Sequence, residues 1–238
     1  MDGLISIALI EVMLLTVGVV LGLSSRKDFS FGWLLVAAVL VLINDALLTR
    51  AYGVLPNLLP SAEWNWQGKI LALAATLMIA SLPALNWGRC GITLRQKPGS
   101  LRATFPVLVI YCAFFVVLAF VFPSGPASHE TIAFQLTMPG FEEECFYRGL
   151  LLFALDQAFR GRVRILGVDW GWGAVLSCAL FGLAHAFSYS NGQLAFDPMI
   201  MALTALPSFI AVYLRLRSGS VVLPVVMHNF GNAISLIV

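Results

Sequence analysis

Eight apolar segments divide the sequence, and the connections between them are short. An α-helix needs roughly 20 apolar residues, with a range of about 17–25, to cross the hydrocarbon core of a bilayer. The third and sixth segments are shorter than the rest, and the fifth is interrupted by Pro139 and Gly140. We therefore predict an all-α, polytopic membrane protein, a bundle of eight transmembrane helices. The predicted spans are Leu4–Leu23, Phe31–Leu48, Ile70–Leu85, Phe105–Phe122, Ile132–Phe159, Trp172–Phe187, Pro198–Leu214 and Val221–Val238.

Composition excludes the main alternatives. Of the 238 residues, 60% are hydrophobic and 11% are charged, whereas a soluble domain carries about 25% charged residues. The chain could not cover the surface of a water-soluble globule, which excludes a cytosolic enzyme, a secreted disulfide scaffold and a disordered chain. The net charge of +2 leaves no basic face for a phosphate backbone, so we expect no nucleic-acid partner.

The basic residues alternate between connections, as an even number of crossings would require. The connections after the first, third, fifth and seventh spans hold most of the 14 Lys and Arg residues, whereas the intervening ones hold Arg50 and Lys69. Positive charge marks the cytoplasmic side, so we expect both termini outside the cytoplasm. Asp2 precedes the first span and basic residues follow it, which favours a retained helix over a signal peptide. We predict one integral membrane domain over residues 1–238.

Ionisable residues interrupt the fifth span. Glu142, Glu143, Glu144 and Arg148 lie within it, and such groups are costly in a bilayer, so they face the bundle interior and mark function. Glu144 and Arg148 are four residues apart and can pair on one helix face. Glu143 would point about 100° away on an α-helix, free for another role. The alternative is a buried polar network that only locks the helices together.

Two of the three histidines also lie within spans. His185 lies in the sixth span, and His228 and Asn232 share one face of the last. A carboxylate can deprotonate water and an imidazole can relay the proton, while a second imidazole and an amide can stabilise an oxyanion. These groups suit amide hydrolysis. Two histidines and one glutamate could instead hold zinc, although no HExxH motif is present.

Other candidate residues are fewer. Glu11, Asn44 and Asp45 also lie inside predicted spans, where they either line a path or pair with another helix. No CxxC pair is present among the four cysteines, which we interpret as small apolar packing residues. The cysteines are Cys90, Cys112, Cys145 and Cys178.

Three short motifs, taken together and in order, resemble those of a known family. They are Glu143-Glu144-x-x-x-Arg148, Phe181-x-x-x-His185 and His228-x-x-x-Asn232. They are similar to the motifs of the CPBP family, which includes CAAX prenyl endopeptidases of the Rce1 type and bacteriocin-processing or self-immunity (Abi) proteins. The resemblance begins at about Gly91, and it divides the domain into N-terminal helices (1–90) and a catalytic core (91–238).

The resemblance implies a role for each motif residue. Glu143 would be the general base that activates water, and His185 would help to bind and orient that water. His228 and Asn232 would form the oxyanion site. Glu144 and Arg148 would support these groups by pairing with each other. We assign no catalytic part to Glu142, and we expect no required cofactor, with zinc as the less favoured alternative.

We therefore predict an intramembrane endopeptidase that acts on a membrane-associated or C-terminal-tail protein substrate. Its partners would be that protein or peptide and the lipid bilayer of a bacterial or archaeal cell membrane. Two alternatives stay open. One is a proton-coupled transporter that uses Glu143 and the histidines as a relay and Pro139-Gly140 as a helix break. The other is a non-catalytic immunity or scaffold member of the same family.

Overall fold

The computed structural model describes residues 1–238 and is mostly helical. Two short antiparallel hairpins, β1–β2 and β3–β4, are the only sheets. The strands are β1 (Val163–Ile165), β2 (Val168–Trp170), β3 (Phe187–Ser190) and β4 (Gln193–Phe196). The helices are α1 (Asp2–Ser24), α2 (Phe31–Leu48), α3 (Trp66–Ala80), α4 (Trp87–Cys90), α5 (Leu101–Val121), α6 (His129–Gln135), a π-helix (Gly140–Leu151) that continues as α7 (Leu152–Ala158), α8 (Trp172–Ala186), α9 (Pro198–Ser218) and α10 (Val222–Ile237).

Every predicted span has a helical counterpart, but not every helix is long enough to cross a bilayer alone. By length and composition, α1, α2, α5 and α9 qualify, whereas α3, α8 and α10 are shorter apolar helices. The structure is that of a polytopic helical membrane protein, and eight full crossings stay a prediction. Helix α3 begins earlier than predicted because the Asn65 side chain caps it by accepting a hydrogen bond from the Gly68 N–H (3.0 Å).

The predicted interruption of the fifth span is confirmed, but it lies before Pro139. A turn at residues 136–137 separates α6 from the segment that follows. That segment was predicted to be α-helical, which is wrong for residues 140–151, because they are wound as a π-helix. Every residue from Glu142 to Leu155 is buried. The π-helix and α7 therefore form the centre of the bundle, surrounded by α2, α3, α8, α9 and α10.

The largest apolar cluster lies on the side of this central helix that faces α1, α2 and α8. Leu150 and Leu151 of the π-helix are almost completely buried there, and Trp33 of α2 packs edge-on against Phe153 (ring centroids 5.8 Å apart). The opposite side of the central helix carries the polar side chains. The apolar half thus fixes the orientation in which the polar half is presented to α3, α9 and α10.

Hydrogen bonds gather the arginine-rich connections at one end of the bundle. Arg215 Nη2 donates to the carbonyl of Arg89 (3.1 Å), which joins the end of α9 to α4. Arg217 Nη1 donates to the carbonyl of Gly167 (3.0 Å), which joins α9 to the β1–β2 hairpin. The α1–α2 connection is bonded to the chain just after α7. We call this the basic end.

The remaining connections lie at the other end. The Tyr189 N–H of the β3–β4 hairpin donates to Ser6 Oγ at the start of α1 (2.8 Å). Trp64 Nε1, just before α3, donates to Thr131 Oγ1 of α6 (2.9 Å). The α2–α3 and α5–α6 connections and the β3–β4 hairpin contain Arg50 as their single Lys or Arg. We call this the charge-poor end.

Candidate active site

An open cleft of about 700 Å³ contains all the residues that the motifs singled out. Its walls come from α3, α5, α6, the π-helix, α8, α9 and α10. The sequence motifs, which are dispersed over three helices, are therefore gathered at one place. Phe181 is among the motif residues in the cleft, and the other six, which we call the six motif residues, are polar: Glu143, Glu144, Arg148, His185, His228 and Asn232.

The π-helix directs the first two of three consecutive glutamates to one lysine and the third to other partners. Glu142 is completely buried, and its Oε2 lies 2.6 Å from Lys69 Nζ of α3. Glu143 also contacts Lys69. Glu144 points instead toward Arg148 and His228. π-helical turns are rare and are found frequently at functional sites.

Glu143 holds one oxygen fixed and leaves the other available. Its Oε1 accepts a hydrogen bond from Lys69 Nζ (2.5 Å). Its Oε2 has no hydrogen-bond partner and lies 3.6 Å from His228 Nε2. Oε2 is buried, and as an acceptor without a partner it can accept a hydrogen bond from a water molecule that enters from the cleft.

Glu144 joins the predicted ion pair to the second histidine. Arg148 Nε lies 3.1 Å from Glu144 Oε2, which confirms the predicted pair. His228 Nδ1 lies 2.8 Å from Glu144 Oε1. Because a carboxylate oxygen only accepts, this contact requires a proton on Nδ1 when Glu144 is ionised. Glu144 therefore sets the orientation of the His228 ring and turns its Nε2 toward Glu143.

Arg148 connects three helices. Its Nη2 donates to Ser208 Oγ of α9 (2.5 Å), and its guanidinium lies over the Phe181 ring of α8 (4.3 Å to the centroid). Arg148 is 1% exposed. A buried arginine needs both a counter-ion and hydrogen-bond acceptors, and here they come from the π-helix and α9. This side chain fixes the position of Glu144.

His185 lies in the last turn of α8, at the rim of the cleft. Its Nδ1 lies 2.8 Å from the Phe181 carbonyl oxygen. A carbonyl cannot donate, so Nδ1 carries the proton, and in the neutral ring Nε2 is an acceptor. His185 can therefore accept a hydrogen bond from a water molecule through Nε2.

Asn232 presents an amide to the same cleft from α10. Its Nδ2 donates to Gln135 Oε1 of α6 (3.1 Å), and the second N–H of that amide has no protein acceptor. An N–H of this kind can donate to an oxyanion. His228 and Asn232 thus lie on one face of α10, as predicted.

A close contact holds the start of the π-helix against α10. The Gly140 N–H donates to Asn229 Oδ1 (2.7 Å). A Cβ atom at residue 140 would lie 2.3 Å from that same oxygen, so the contact requires glycine. This contact sets the distance between the glutamates and His228.

Sequence reasoning missed Lys69 and Gln135 as members of the site. Lys69 was counted only as a basic residue of a connection, but it lies in the first turn of α3 and binds two glutamates. A basic residue at the start of an apolar helix, on the side where positive charge is otherwise scarce, was the available signal.

The remaining polar candidates lie outside the cleft. Tyr52 donates a hydrogen bond to Asp45, and Glu11 is buried with no hydrogen-bond partner on either oxygen. Neither carboxylate lines the cleft. All four cysteines are free, and Cys90, Cys145 and Cys178 are buried.

Zinc is the less favoured alternative cofactor for this site. No three His, Cys, Asp or Glu side chains gather in an arrangement that could hold a metal. A catalytic zinc site needs three protein ligands around one point. Both ring nitrogens of His228 instead face carboxylates of the protein.

Comparison with protein families identifies the C-terminal half of the chain. Residues 127–234 match the family described as type II CAAX prenyl endopeptidase, Rce1-like. No curated protein and no solved structure matches the chain. The matched residues include the π-helix, α8, α9 and almost all of α10, with every one of the six motif residues. Over residues 127–234 the chain is therefore similar to Rce1-like type II CAAX prenyl endopeptidases, which supports a CPBP family intramembrane protease.

Proposed function

We propose that the protein is an intramembrane endopeptidase that hydrolyses a peptide bond of a membrane-associated protein by means of a water molecule activated by Glu143. The observation that carries the proposal is Glu143, whose buried Oε2 has no hydrogen-bond partner and which lines the same cleft as His185, His228 and Asn232. Amide hydrolysis needs a base that deprotonates water, for which we propose Glu143. It also needs hydrogen-bond donors that stabilise the oxyanion, for which we propose His228 and Asn232.

The first step is the attack of water. Oε2 of Glu143 removes a proton from a water molecule that also donates a hydrogen bond to Nε2 of His185. The resulting hydroxide bonds to the carbonyl carbon of the substrate. Lys69 holds the other oxygen of Glu143 and so keeps Oε2 directed toward Nε2 of His228.

The second step is the stabilisation of the tetrahedral intermediate. Its negative oxygen would accept hydrogen bonds from the free N–H of Asn232 and from Nε2 of His228 when that nitrogen carries a proton. The intermediate then collapses, the carbon–nitrogen bond breaks, and the proton held by Glu143 passes to the leaving amine. The products are a carboxylate and an amine, with water as the only co-reactant. Glu144 and Arg148 hold His228 in place throughout.

The test compares protein termini in three strains of the host. One produces the wild-type protein, one produces Glu143→Gln and one produces neither. We expect a precursor protein to mature only in the wild-type strain and to accumulate equally in the other two. Equal amounts of wild-type and variant protein in the membrane fraction are the control for folding.

Two results would contradict the proposal. Maturation in the Glu143→Gln strain would show that Glu143 is not the base. The absence of any terminus that depends on the protein, at normal expression, would favour a non-catalytic family member or a transporter.

A further inference from the structure

The active-site cleft extends from one end of the bundle to about its middle, where Tyr111 and Ser208 line it. Along each helix, the lining residues lie between that end of the bundle and about the middle of the helix. Lys69 lies in the first turn of α3, and His185 lies in the last turn of α8. Leu203 and Thr204 lie in the first half of α9, and Leu236 lies at the end of α10.

These helix ends all meet at the charge-poor end. Helix α3 begins after the α2–α3 connection, and α8 ends where the β3–β4 hairpin begins, from which α9 starts. Trp64, Asn65 and Thr131, which belong to the connections of that end or to α6, also line the cleft. The arginine-rich connections contribute no residue to it.

A second cleft provides a contrast. It has a volume of about 420 Å³ and lies at the basic end, between Phe29, Phe159 and Trp170. None of the six motif residues lines it. The two ends of the bundle therefore differ both in charge and in chemistry.

Lys and Arg in short loops are retained on the cytoplasmic side of a membrane. The basic end carries such residues in or next to each of its four connections, whereas the charge-poor end carries only Arg50 and, in the first turn of α3, Lys69. We infer that the active-site cleft opens on the extracytoplasmic side. The orientation of the cleft does not depend on the proposed protease function. The substrate class that follows from the orientation does rest on that function.

That consequence is a substrate class. A cleft that opens outside the cytoplasm meets segments of proteins that have crossed the membrane. The substrate is then a peptide segment next to the membrane anchor of an exported or membrane-bound protein, on its extracytoplasmic side.

Cysteine labelling in intact cells tests the orientation. The four native cysteines are first replaced by alanine, and single cysteines are then introduced at three exposed positions. Ser190→Cys lies in the β3–β4 hairpin, and Leu203→Cys lies at the cleft. Val163→Cys, in the β1–β2 hairpin, is the matched control at the basic end, where the native side chain is 64% exposed. Bacterial cells that produce each variant are treated with a membrane-impermeant maleimide before and after permeabilisation.

We expect positions 190 and 203 to be labelled in intact cells and position 163 only after permeabilisation. Labelling of position 163 in intact cells, or of position 190 only after permeabilisation, would overturn the inference. Labelling does not depend on cleavage, so the same experiment on Glu143→Gln separates a wrong orientation from a wrong function. If cleavage is found, new termini confined to cytoplasmic segments would overturn the substrate class alone.

Discussion

The contact between Lys69 and two glutamates gives the sharpest prediction about stability. Lys69 Nζ lies 2.6 Å from Glu142 Oε2 and 2.5 Å from Glu143 Oε1. The lysine side chain is 13% exposed, and the carboxylates are 0% and 11% exposed. Substitution Lys69→Met keeps an unbranched side chain of similar length but removes the charge, and it leaves two neighbouring carboxylates with no cation between them.

The expected cost follows from that burial. Removing one partner of a buried ion pair destabilises a protein by about 3–5 kcal/mol, because an uncompensated charge stays behind. For a chain of this size, 1 kcal/mol corresponds to roughly 2–4 °C in Tm. We therefore expect Lys69→Met to lower Tm by on the order of 10 °C. Lys27→Met, at an exposed position in the α1–α2 connection, is the control and should change Tm little.

A second substitution distinguishes charge from packing. Glu142 has Lys69 as its one ionic partner, so Lys69→Met/Glu142→Gln leaves a single carboxylate in place of two. We expect the double variant to be more stable than Lys69→Met, with a coupling of about 1–3 kcal/mol in a double-mutant cycle. The assay is thermal unfolding of the purified proteins in one detergent. A double variant as unstable as the sum of its single variants would refute the electrostatic explanation.

Three further predictions follow from single contacts. Asn232→Ala should lower the cleavage rate by about 10²–10³ through loss of one oxyanion donor, with KM nearly unchanged; a purely KM effect would contradict this. Gly140→Ala should lower both Tm and the cleavage rate, because a Cβ would meet Asn229 Oδ1 at 2.3 Å; unchanged Tm would show that the π-helix need not approach α10. Treatment with a zinc chelator should leave cleavage intact, and a loss that only added zinc restores would contradict the proposed mechanism.

The sequence was sufficient to predict the helical membrane bundle and the six motif residues that gather in the cleft. Apolar length alone located a helix for each predicted span. The spacing of Glu144 and Arg148 was sufficient to predict their ion pair. Both predictions depend on local regularities, namely hydrophobic run length and side-chain neighbours four residues apart.

Features that depend on contacts between distant segments could not be predicted in the same way. No feature of the sequence near Gly140 distinguishes a π-helix from an α-helix. The prediction therefore used the ordinary α-helical period. Lys69 is separated from Glu143 along the chain by α4, α5 and α6, so only the packing of α3 against the π-helix brings them together. The position of the cleft at the charge-poor end likewise required the tertiary structure.

The most direct test of the central claim compares two adjacent glutamates. Glu142 and Glu143 lie on the same π-helix and bind the same lysine, but only Glu143 has a role in the proposed reaction. With a substrate identified by its new termini, cleavage is measured for Glu142→Gln and Glu143→Gln at equal amounts of membrane protein. We predict that Glu143→Gln lowers the rate by about 10²–10⁴, as expected for loss of a general base, while Glu142→Gln keeps most of it. Equal losses in the two variants, or an active Glu143→Gln, would contradict the account.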